Sequence, residues 1–314
     1  MLSRTADNLY WLSRYMERAE NLARILDVGL RMSLLPHLEG GAVSEWRSTL
    51  AAAGGLAGFD AHYDETTAQN VVEYLAFDTE NSSSIRSCIK VARENGRAVR
   101  TALTGDMWES LNATWLELAD IHPQNLERSE IAAFLDWVKE RSLQFRGSTY
   151  GSMLRNDGFF FTRLGTFIER GDNTARILDV KYHVLLPQTE RVGGSLDHYQ
   201  WAAILRSVSA LGSYHWLYRD NLKPWQIAEL LILRPEMPRS LSACLAEVNN
   251  YLDRLASAYG ASGETQRLAG QLHAELRYGR IDQIFQSGLH EFLTDFIGKN
   301  IHLSSEISTQ YLIG

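Results

Sequence analysis

The sequence has little of several features that would place it in a common class of protein. Its 314 residues include only two cysteines and six prolines, which argues against a disulfide-built scaffold and against a proline-rich linker. It has no run of about eighteen apolar residues, so we expect no transmembrane helix. The net charge is -7 and no basic stripe is present, so we expect neither a nucleic acid nor a membrane as a partner.

The composition is that of an ordinary globular protein. Hydrophobic residues make up 45% of the chain and charged residues 22%, which is enough to bury a core at this length. The first twenty residues are charged and amphipathic, without the apolar centre and small-residue cleavage site of a secretory signal. Cys88 and Cys244 give no disulfide framework, as is usual in a reducing compartment. We therefore expect a cytoplasmic location.

The spacing of apolar residues predicts helices rather than strands. All six prolines fall where the apolar periodicity breaks, and a proline inside a helix costs roughly 3 kcal/mol. No Asn-Gly or Asp-Gly pair lies between alternating apolar runs, as a hairpin would require. Long helices are predicted at about 4–34 and 157–186. Helix starts with Ser or Asn caps are predicted at 81–84 and 238–240, with Pro238 in the first turn of the second of these helices. Further helices are predicted near 106–118, 129–153, 262–277 and 282–308.

One twelve-residue phrase occurs twice, as ERAENLARILDV at 17–28 and as ERGDNTARILDV at 169–180. Nine of the twelve positions are identical. Polar residues on the surface of a helix change easily after a duplication. The polar residues that both copies of the phrase share therefore need a reason beyond solubility, and we call them the polar stripe of each copy. The candidate site residues are Glu17, Arg18, Glu20, Asn21 and Arg24 in the first copy, and Glu169, Arg170, Asp172, Asn173 and Arg176 in the second.

The similarity between the two halves extends past this phrase. The segment 71–89 aligns with 227–245 at an offset of 156 residues. Each half is predicted to contain a long helix, a second helix, a short helix and another long helix. The sequence therefore predicts an all-α, pseudo-symmetric multi-helix bundle built from two tandem repeats, about 1–152 and 153–314, in a single domain.

Four segments carry a likeness to a known family. They read LSRTADNLYWLSRYMERAENLARIL, VVEYLAFDTENSSSIRSCI, DMWESLN and MLRNDGFFFTRLGTFIERGDNTARILDVKYHVLLP. Together, and in this order, they resemble the bacterial alpha-E domain family. The resemblance implies an all-helical fold. It also implies separate partner chains, an ATP-grasp ligase-like protein and a transglutaminase-like peptidase, and hence a role in ATP-dependent formation of amide or peptide bonds.

The chain departs from the family's usual pattern at three places. Ser13 and Ser82 stand where the family often has Gly and Pro, and Thr166 stands where it often has Arg. These departures raise the expectation that only one half keeps a working site.

The chain has no nucleotide-binding motif of its own. Neither a P-loop nor a Gly-x-Gly-x-x-Gly pattern occurs, so we expect no cofactor, and ATP would be bound by the partner ligase. The preferred function is a non-nucleotide-binding component of a peptide or amide ligase system that supplies substrate binding or partner docking. Two alternatives stay open: a helical scaffold with a purely structural ion network, and a carboxylate-based enzyme acting in peptide modification.

The polar stripe itself has three interpretations. It could be a solvated helix face with weak ion pairs, an ion network between the two copies, or a binding site. In a binding site the carboxylates would hold an amine, and the arginines would hold a carboxylate or phosphate. Arg24 and Arg176 would then orient an acidic group, while Glu17 and Glu169 would orient an amine or the arginines.

Other residues with chemical potential have simpler structural explanations. Both cysteines lie on apolar helical patterns and are expected to be small buried residues. Asp179 and His183 are spaced for a local hydrogen bond, and without a Glu-x-x-His pattern we expect no metal. Asn156 or Asp157 is expected to cap the second long helix. Trp108, Trp115 and Trp137 are expected in the core.

Overall fold

Every regular element in the described part of the chain is a helix, as the sequence predicts. The structure is a computed structural model, and it describes residues 1–33, 41–121, 127–183 and 194–312. No helix within these ranges is both long enough and apolar enough to cross a membrane.

The helices of the first half are α1 (Ser3–Met32), α2 (Gly41–Ala52), α3 (Leu56–Asp60), α4 (Ala68–Val72), α5 (Ile85–Ala98), α6 (Gly105–Ala119) and α7 (Arg128–Ser152), with a π-helical turn at Glu73–Phe77 and a short 3₁₀ helix at Arg100–Ala102. Those of the second half are α8 (Asp157–His183), α9 (Ser195–Ser207), α10 (Leu211–Tyr218), α11 (Pro224–Ile232), α12 (Leu241–Tyr259), α13 (Glu264–Arg277), α14 (Ile281–Ser287) and α15 (Leu289–Tyr311).

The two long predicted helices are α1 and α8, which carry the repeated phrase. They span 30 and 27 residues, or roughly 45 and 40 Å at about 1.5 Å per residue. The predicted C-terminal ends at residues 34 and 186 lie outside the described residues. At the start of α8 the Asn156 side-chain oxygen accepts hydrogen bonds from the backbone N–H groups of Gly158 (3.1 Å) and Phe159 (3.3 Å), so the predicted cap is confirmed.

Helices α1 and α8 pack against each other at the centre of the molecule. Helix α1 also contacts α5 and α7, while α8 also contacts α12 and α15. Because neighbours surround α1, its residues are buried on nearly every side from Met16 to Leu30. The polar stripe therefore lies inside the protein along with the apolar face.

The helices predicted to carry the tryptophan and the cysteine of each half are present, with more short helices between them than the sequence predicts. In the first half α2 carries Trp46, a short helical segment follows, and α5 carries Cys88. In the second half α9 carries Trp201, the short α11 follows, and α12 carries Cys244. Both cysteines are buried, as predicted.

One detail of the helix prediction is confirmed with a division, and another is wrong. The segment predicted to be helical near 282–308 consists of two helices, α14 and α15, which are separated at Gly288, whose φ of +97° is one that L-residues with a Cβ rarely adopt. Pro238, predicted in the first turn of a helix, lies two residues before Ser240. Ser240 is the N-cap of α12, and its side chain accepts a hydrogen bond from Ala243 N–H.

We expect Ser84→Ala to lower the free energy of unfolding by about 1 kcal/mol. The Ser84 side chain caps α5 by accepting a hydrogen bond from Ser87 N–H (3.2 Å), and it is buried. Urea unfolding followed by circular dichroism measures the change. Ser82→Ala is the matched control, because Ser82 is exposed and should change stability by less than about 0.5 kcal/mol. Equal effects of the two substitutions would show that the cap contributes nothing.

We expect Gly165→Ala to destabilise the protein by at least about 2 kcal/mol. A Cβ on Gly165 would overlap the carbonyl oxygen of Tyr10 and the hydroxyl of Ser13, so α1 and α8 would have to move apart. Gly298 on α15 is the control, because a Cβ there meets nothing within 4 Å. Gly298→Ala should stabilise by about 0.5–1 kcal/mol. If thermal unfolding shows both substitutions to be stabilising, the two backbones are not in contact at Gly165.

Candidate functional site

The repeated stripes meet in a buried ion network where α1 and α8 pack together. The carboxylate of Glu17 accepts hydrogen bonds from Arg170 (2.8 and 3.0 Å) on α8. It also accepts one from Arg146 (2.9 Å) on α7 and one from Arg239 (3.2 Å), just before α12. One carboxylate thus joins three separate segments of the chain to α1.

The second copy makes the reciprocal contact. Glu169 on α8 accepts hydrogen bonds from Arg18 (2.6 and 3.1 Å) and Arg14 (2.8 Å) on α1. The glutamate of each Glu-Arg pair is therefore bound by the arginine of the other pair, since Glu17 binds Arg170 and Glu169 binds Arg18. The two stripes face each other and bind across the helix contact.

The next acidic position differs between the two copies. Glu20 accepts hydrogen bonds from Arg24 (2.9 and 2.7 Å), and it is also bonded to Arg146 and Arg239. Its counterpart Asp172 accepts hydrogen bonds from Arg176 alone among the described residues, with a closest distance of 2.6 Å. One carboxylate therefore has three arginine partners and the other has one.

The pKa values of these carboxylates reflect the number of arginines that bind each one. Burial raises the pKa values of Glu17 and Glu169, but their arginine partners outweigh it and lower both to about 2. Arginines likewise hold the pKa of Glu20 well below its usual value. At Asp172 burial dominates over the attraction of Arg176, so its pKa is raised. Asp172 is thus the least compensated carboxylate of the four.

A polar cleft opens beside this network, and we call it the α1–α8 cleft. Its volume is about 210 Å³. Six of the ten predicted site residues line it: Arg18, Asn21, Glu169, Asp172, Asn173 and Arg176. The rest of its wall is formed by Leu22, Ala52, Ala53, Gly54 and Ser83. The other four predicted residues, Glu17, Glu20, Arg24 and Arg170, do not line the cleft.

Two asparagine side chains of the cleft lack hydrogen-bond partners. Asn21 and Asn173 are only 4% and 3% exposed, yet Asn21 Oδ1 and Asn173 Nδ2 have no partner in the described structure. An unpaired buried polar group costs about 1–3 kcal/mol. The side chains of Arg18 and Arg176 are 25% and 28% exposed at the same place. The cleft thus offers an acceptor, a donor and two guanidinium groups to whatever enters it.

Three larger hollows lie elsewhere on the described surface. One, of about 330 Å³, is lined mainly by apolar residues such as Leu30 and Ile131. Another, of about 600 Å³, lies beside the exposed Trp216. The third, of about 300 Å³, is lined by Asp179 and His290 among others. None of the three is lined by any of the ten candidate site residues, so none accounts for the repeated stripes.

The structure excludes one of the three interpretations of the stripe. A solvated helix face is wrong, because all ten predicted residues are buried except Arg18 and Arg176, which are partly exposed. Three members of the network were not predicted: Arg14, Arg146 and Arg239. Arg14 lies just before the repeated phrase and could have been found from it. Arg146 and Arg239 lie far away in sequence and gave no signal.

The remaining predicted residues have structural roles. Burial raises the pKa of the thiols of Cys88 and Cys244 to about 12, which keeps both protonated at neutral pH. Asp179 binds His290 (2.7 Å), whereas the side chain of its predicted partner His183 lies outside the described residues. No group of three or more His, Cys, Asp or Glu side chains in the described ranges is placed to hold a metal.

The predicted tryptophan positions are only partly confirmed. Trp108, Trp115 and Trp137 are half-buried against the apolar core. Each packs its ring on the core and leaves part of it at the surface, so none is fully enclosed.

Comparison with known proteins agrees with the sequence resemblance. The three curated relatives are one uncharacterised protein of Mycobacterium bovis and two of Mycobacterium tuberculosis. Each is 24% identical over 332 residues, an alignment that covers 96% of this chain. The chain spans about a third of their length, 35% in each case. No solved structure matches.

The sequence model of one family covers nearly the whole chain. This family, Alpha-E, is described as a predicted alpha-helical domain with a conserved ER motif, and its model matches residues 1–312. The helical fold agrees with that description, and the Glu-Arg pairs at 17–18 and 169–170 that bind each other are motifs of this kind. The chain therefore belongs to the Alpha-E family.

Proposed function

We propose that this chain is the binding component of an ATP-grasp-linked peptide or amide ligase system. It would bind a substrate or present one to the ligase, while a separate ATP-grasp chain binds and consumes ATP. The observation that carries the proposal is the convergence of both retained stripes on one place with an open polar cleft. A network needed only to hold helices together has no need of unpaired amides and partly exposed guanidinium groups at its edge.

The chemistry of the cleft suits binding more than proton transfer by its glutamate. Glu169 has a pKa of about 2 and is bound by two arginines. An efficient general acid or base has a pKa near the working pH, so Glu169 fits a fixed negative charge. Arg18 and Arg176 each use only part of their five N–H donors on protein carboxylates.

The lengths of the relatives support a role beside other domains. In each of them the region similar to this chain is about a third of a longer polypeptide. A domain that works next to others in one chain can also work as a separate subunit that docks on them. We therefore propose that an ATP-grasp ligase-like protein, and a transglutaminase-like peptidase, are partners of this chain, in the cytoplasm.

We further propose that the two halves, about 1–152 and 153–314, are copies of one ancestral unit within a single domain. The reciprocal Glu–Arg contacts support this. So do the N-cap serines Ser84 and Ser240, which are 156 residues apart. A third support is the turn after α2 and after α9, where Gly54 and Ser209 have φ values of +70° and +58°.

Co-purification with an ATP-grasp ligase-like protein tests this function. Products formed from ATP and a pool of amino acids by the two proteins together would be identified by mass spectrometry. We expect an ATP-dependent amide product that needs both chains. If the ligase-like protein forms the same product at the same rate alone, this chain is not its binding component.

A purely structural scaffold is the second candidate, and one observation favours it. Glu17 is fully buried and bound by three arginines, so it can only stabilise the fold. Under this alternative, the output of the system would follow the folded fraction of each variant. Under the proposed function, variants of cleft residues would lose output while they remain folded.

A further inference from the structure

The two halves differ at the residue that precedes the N-cap of α5 and of α12. Ser83 stands directly before the cap Ser84, and Arg239 stands directly before the cap Ser240. The two positions are 156 residues apart, the same offset that aligns 71–89 with 227–245. One half therefore has a short side chain where the other has a guanidinium group.

Arg239 lies buried against the two acidic residues of the first stripe. Its guanidinium donates hydrogen bonds to Glu17 (3.2 Å) and to Glu20, and it is buried. Burial and the neighbouring arginines lower its pKa only to about 10, so it stays charged at neutral pH. A cation thus occupies the space between the two acidic residues of the first stripe.

At the second stripe, no arginine among the described residues donates hydrogen bonds to both Glu169 and Asp172 as Arg239 does to Glu17 and Glu20. Glu169 and Asp172 line the open α1–α8 cleft together with Ser83. The last arginines of the two stripes, Arg24 and Arg176, also lie in similar surroundings. Arg24 donates hydrogen bonds to Ser207 and Ser209 in the turn after α9, and Arg176 Nη1 would lie 3.6 Å from a Cβ on Gly54, in the turn after α2.

We propose that the α1–α8 cleft binds an organic cation, a primary ammonium or guanidinium group, at the place that Arg239 fills on the other side of the network. Glu169 and Asp172 accept its N–H groups, as Glu17 and Glu20 accept those of Arg239. The inference rests on the proposed function in one respect, because it makes the ligand an amine-bearing substrate of the system.

The pairing around the cleft leaves one carboxylate with a single arginine. Among the described residues, Glu17 and Glu20 are bound by four arginines in all, whereas Glu169 is bound by Arg14 and Arg18, and Asp172 by Arg176 alone. The raised pKa of Asp172 is the expected sign of a buried carboxylate with too few positive partners. Asn21 Oδ1, buried and unpaired in the cleft wall, provides an additional acceptor for an N–H group.

The size of the cleft limits the ligand. A volume of about 210 Å³ holds roughly seven water molecules at about 30 Å³ each. It is smaller than the roughly 300–1,000 Å³ of sites for drug-sized ligands. The cleft therefore fits a small free amine, or the end of a lysine or arginine side chain on a partner protein.

Calorimetric titration of the full chain tests the site with defined probes. Agmatine and n-butylamine represent free cations, and the blocked tripeptide acetyl-Gly-Arg-Gly-amide represents a partner's side chain. Choline is the control, since it is a cation without N–H donors. We expect saturable binding of at least one N–H probe and none of choline. Absence of binding by all three N–H probes, or equal binding of choline, would overturn the proposal.

The variant Ser83→Arg should close the cleft as Arg239 closes the other side. We expect it to weaken binding of the probes on the order of tenfold or more, with unfolding at the same or a higher denaturant concentration than the natural chain. Ser82→Arg, at the exposed neighbouring residue, should leave binding unchanged. Equal binding by the natural chain and Ser83→Arg would place the cation elsewhere and overturn the proposal.

A second variant tests whether Arg239 is a valid model for the bound cation. Arg239→Ser removes the internal guanidinium and should lower stability. Agmatine, but not choline, should then raise its unfolding midpoint more than it raises that of the natural chain. If Arg239→Ser does not fold, the titration of Ser83→Arg still tests the cation site by itself. If agmatine and choline act alike on folded Arg239→Ser, the internal guanidinium is not a model for a ligand.

Failure of the cation site and failure of the proposed function give different results. If Ser83→Arg loses cation binding while ATP-dependent product formation is independent of this chain, the site stands and the function is wrong. If no probe binds while product formation needs this chain, the function stands and the cation site is wrong.

Discussion

Glu17→Gln is expected to lower the free energy of unfolding by about 3–5 kcal/mol. The substitution keeps the shape of the side chain but removes the negative charge that faces Arg146, Arg170 and Arg239. Those three guanidinium groups would then share Glu20 as their nearest acid, inside the protein. Breaking a buried ion pair by removing one partner leaves an uncompensated charge, which is why the effect is large. Urea unfolding followed by circular dichroism gives the value.

Two controls separate this effect from loss of any salt bridge. Glu264→Gln breaks an ion pair with Arg267 at the surface, where pairs contribute little, and should change stability far less. Arg170→Gln combined with Glu17→Gln should cost less than the sum of the single substitutions, because the double variant removes both partners. Additive losses would mean that Glu17 and Arg170 do not interact in solution.

The folded protein is expected to lose stability steeply in mild acid. The folded pKa of Glu169 is about 2, against an ordinary value of 4.5, so its carboxylate stabilises the fold fully above about pH 5–6. That contribution, about 3 kcal/mol for this shift, is lost as the pH falls through 4.5 toward 2. Glu17 has the same pKa and the same sign of effect. Unfolding free energies measured from pH 7 to pH 3 should fall accordingly.

Glu169→Gln provides the comparison for the acid experiment. It should be less stable than the natural chain at pH 7, and its stability should fall less between pH 7 and pH 3, because one titrating carboxylate has been removed. Two curves that run parallel over this pH range would contradict the lowered pKa of Glu169. A natural chain equally stable at both pH values would contradict the whole network.

The helices could be predicted from the sequence, but the surroundings of the stripe could not. A helical wheel places Glu17, Glu20 and Arg24 on one side of α1, and in the structure they belong to one ion network. Periodicity tells which residues share a face, but it does not tell what covers that face. Here α7 and the segment before α12 cover it, and they supply Arg146 and Arg239 from more than one hundred residues away.

The stripe could be predicted because the same polar residue types occur at 17–24 and again at 169–176. Arg239 could not be predicted, because the residue aligned with it is Ser83, which gives no sign of an ion pair. In the structure Arg239 is bonded to Glu17 and Glu20, whereas Ser83 lines the open α1–α8 cleft.

The central claim is that the α1–α8 cleft serves the ligase system rather than only the fold, and Arg176→Lys tests it most directly. Lysine keeps a positive charge for Asp172 but loses the forked donor geometry of arginine, and this side chain is partly exposed. The measurement is the rate of ATP-dependent amide product formation by the reconstituted system at a temperature where the variant is fully folded. We predict a loss on the order of tenfold or more; a rate equal to that of the natural chain would contradict the claim.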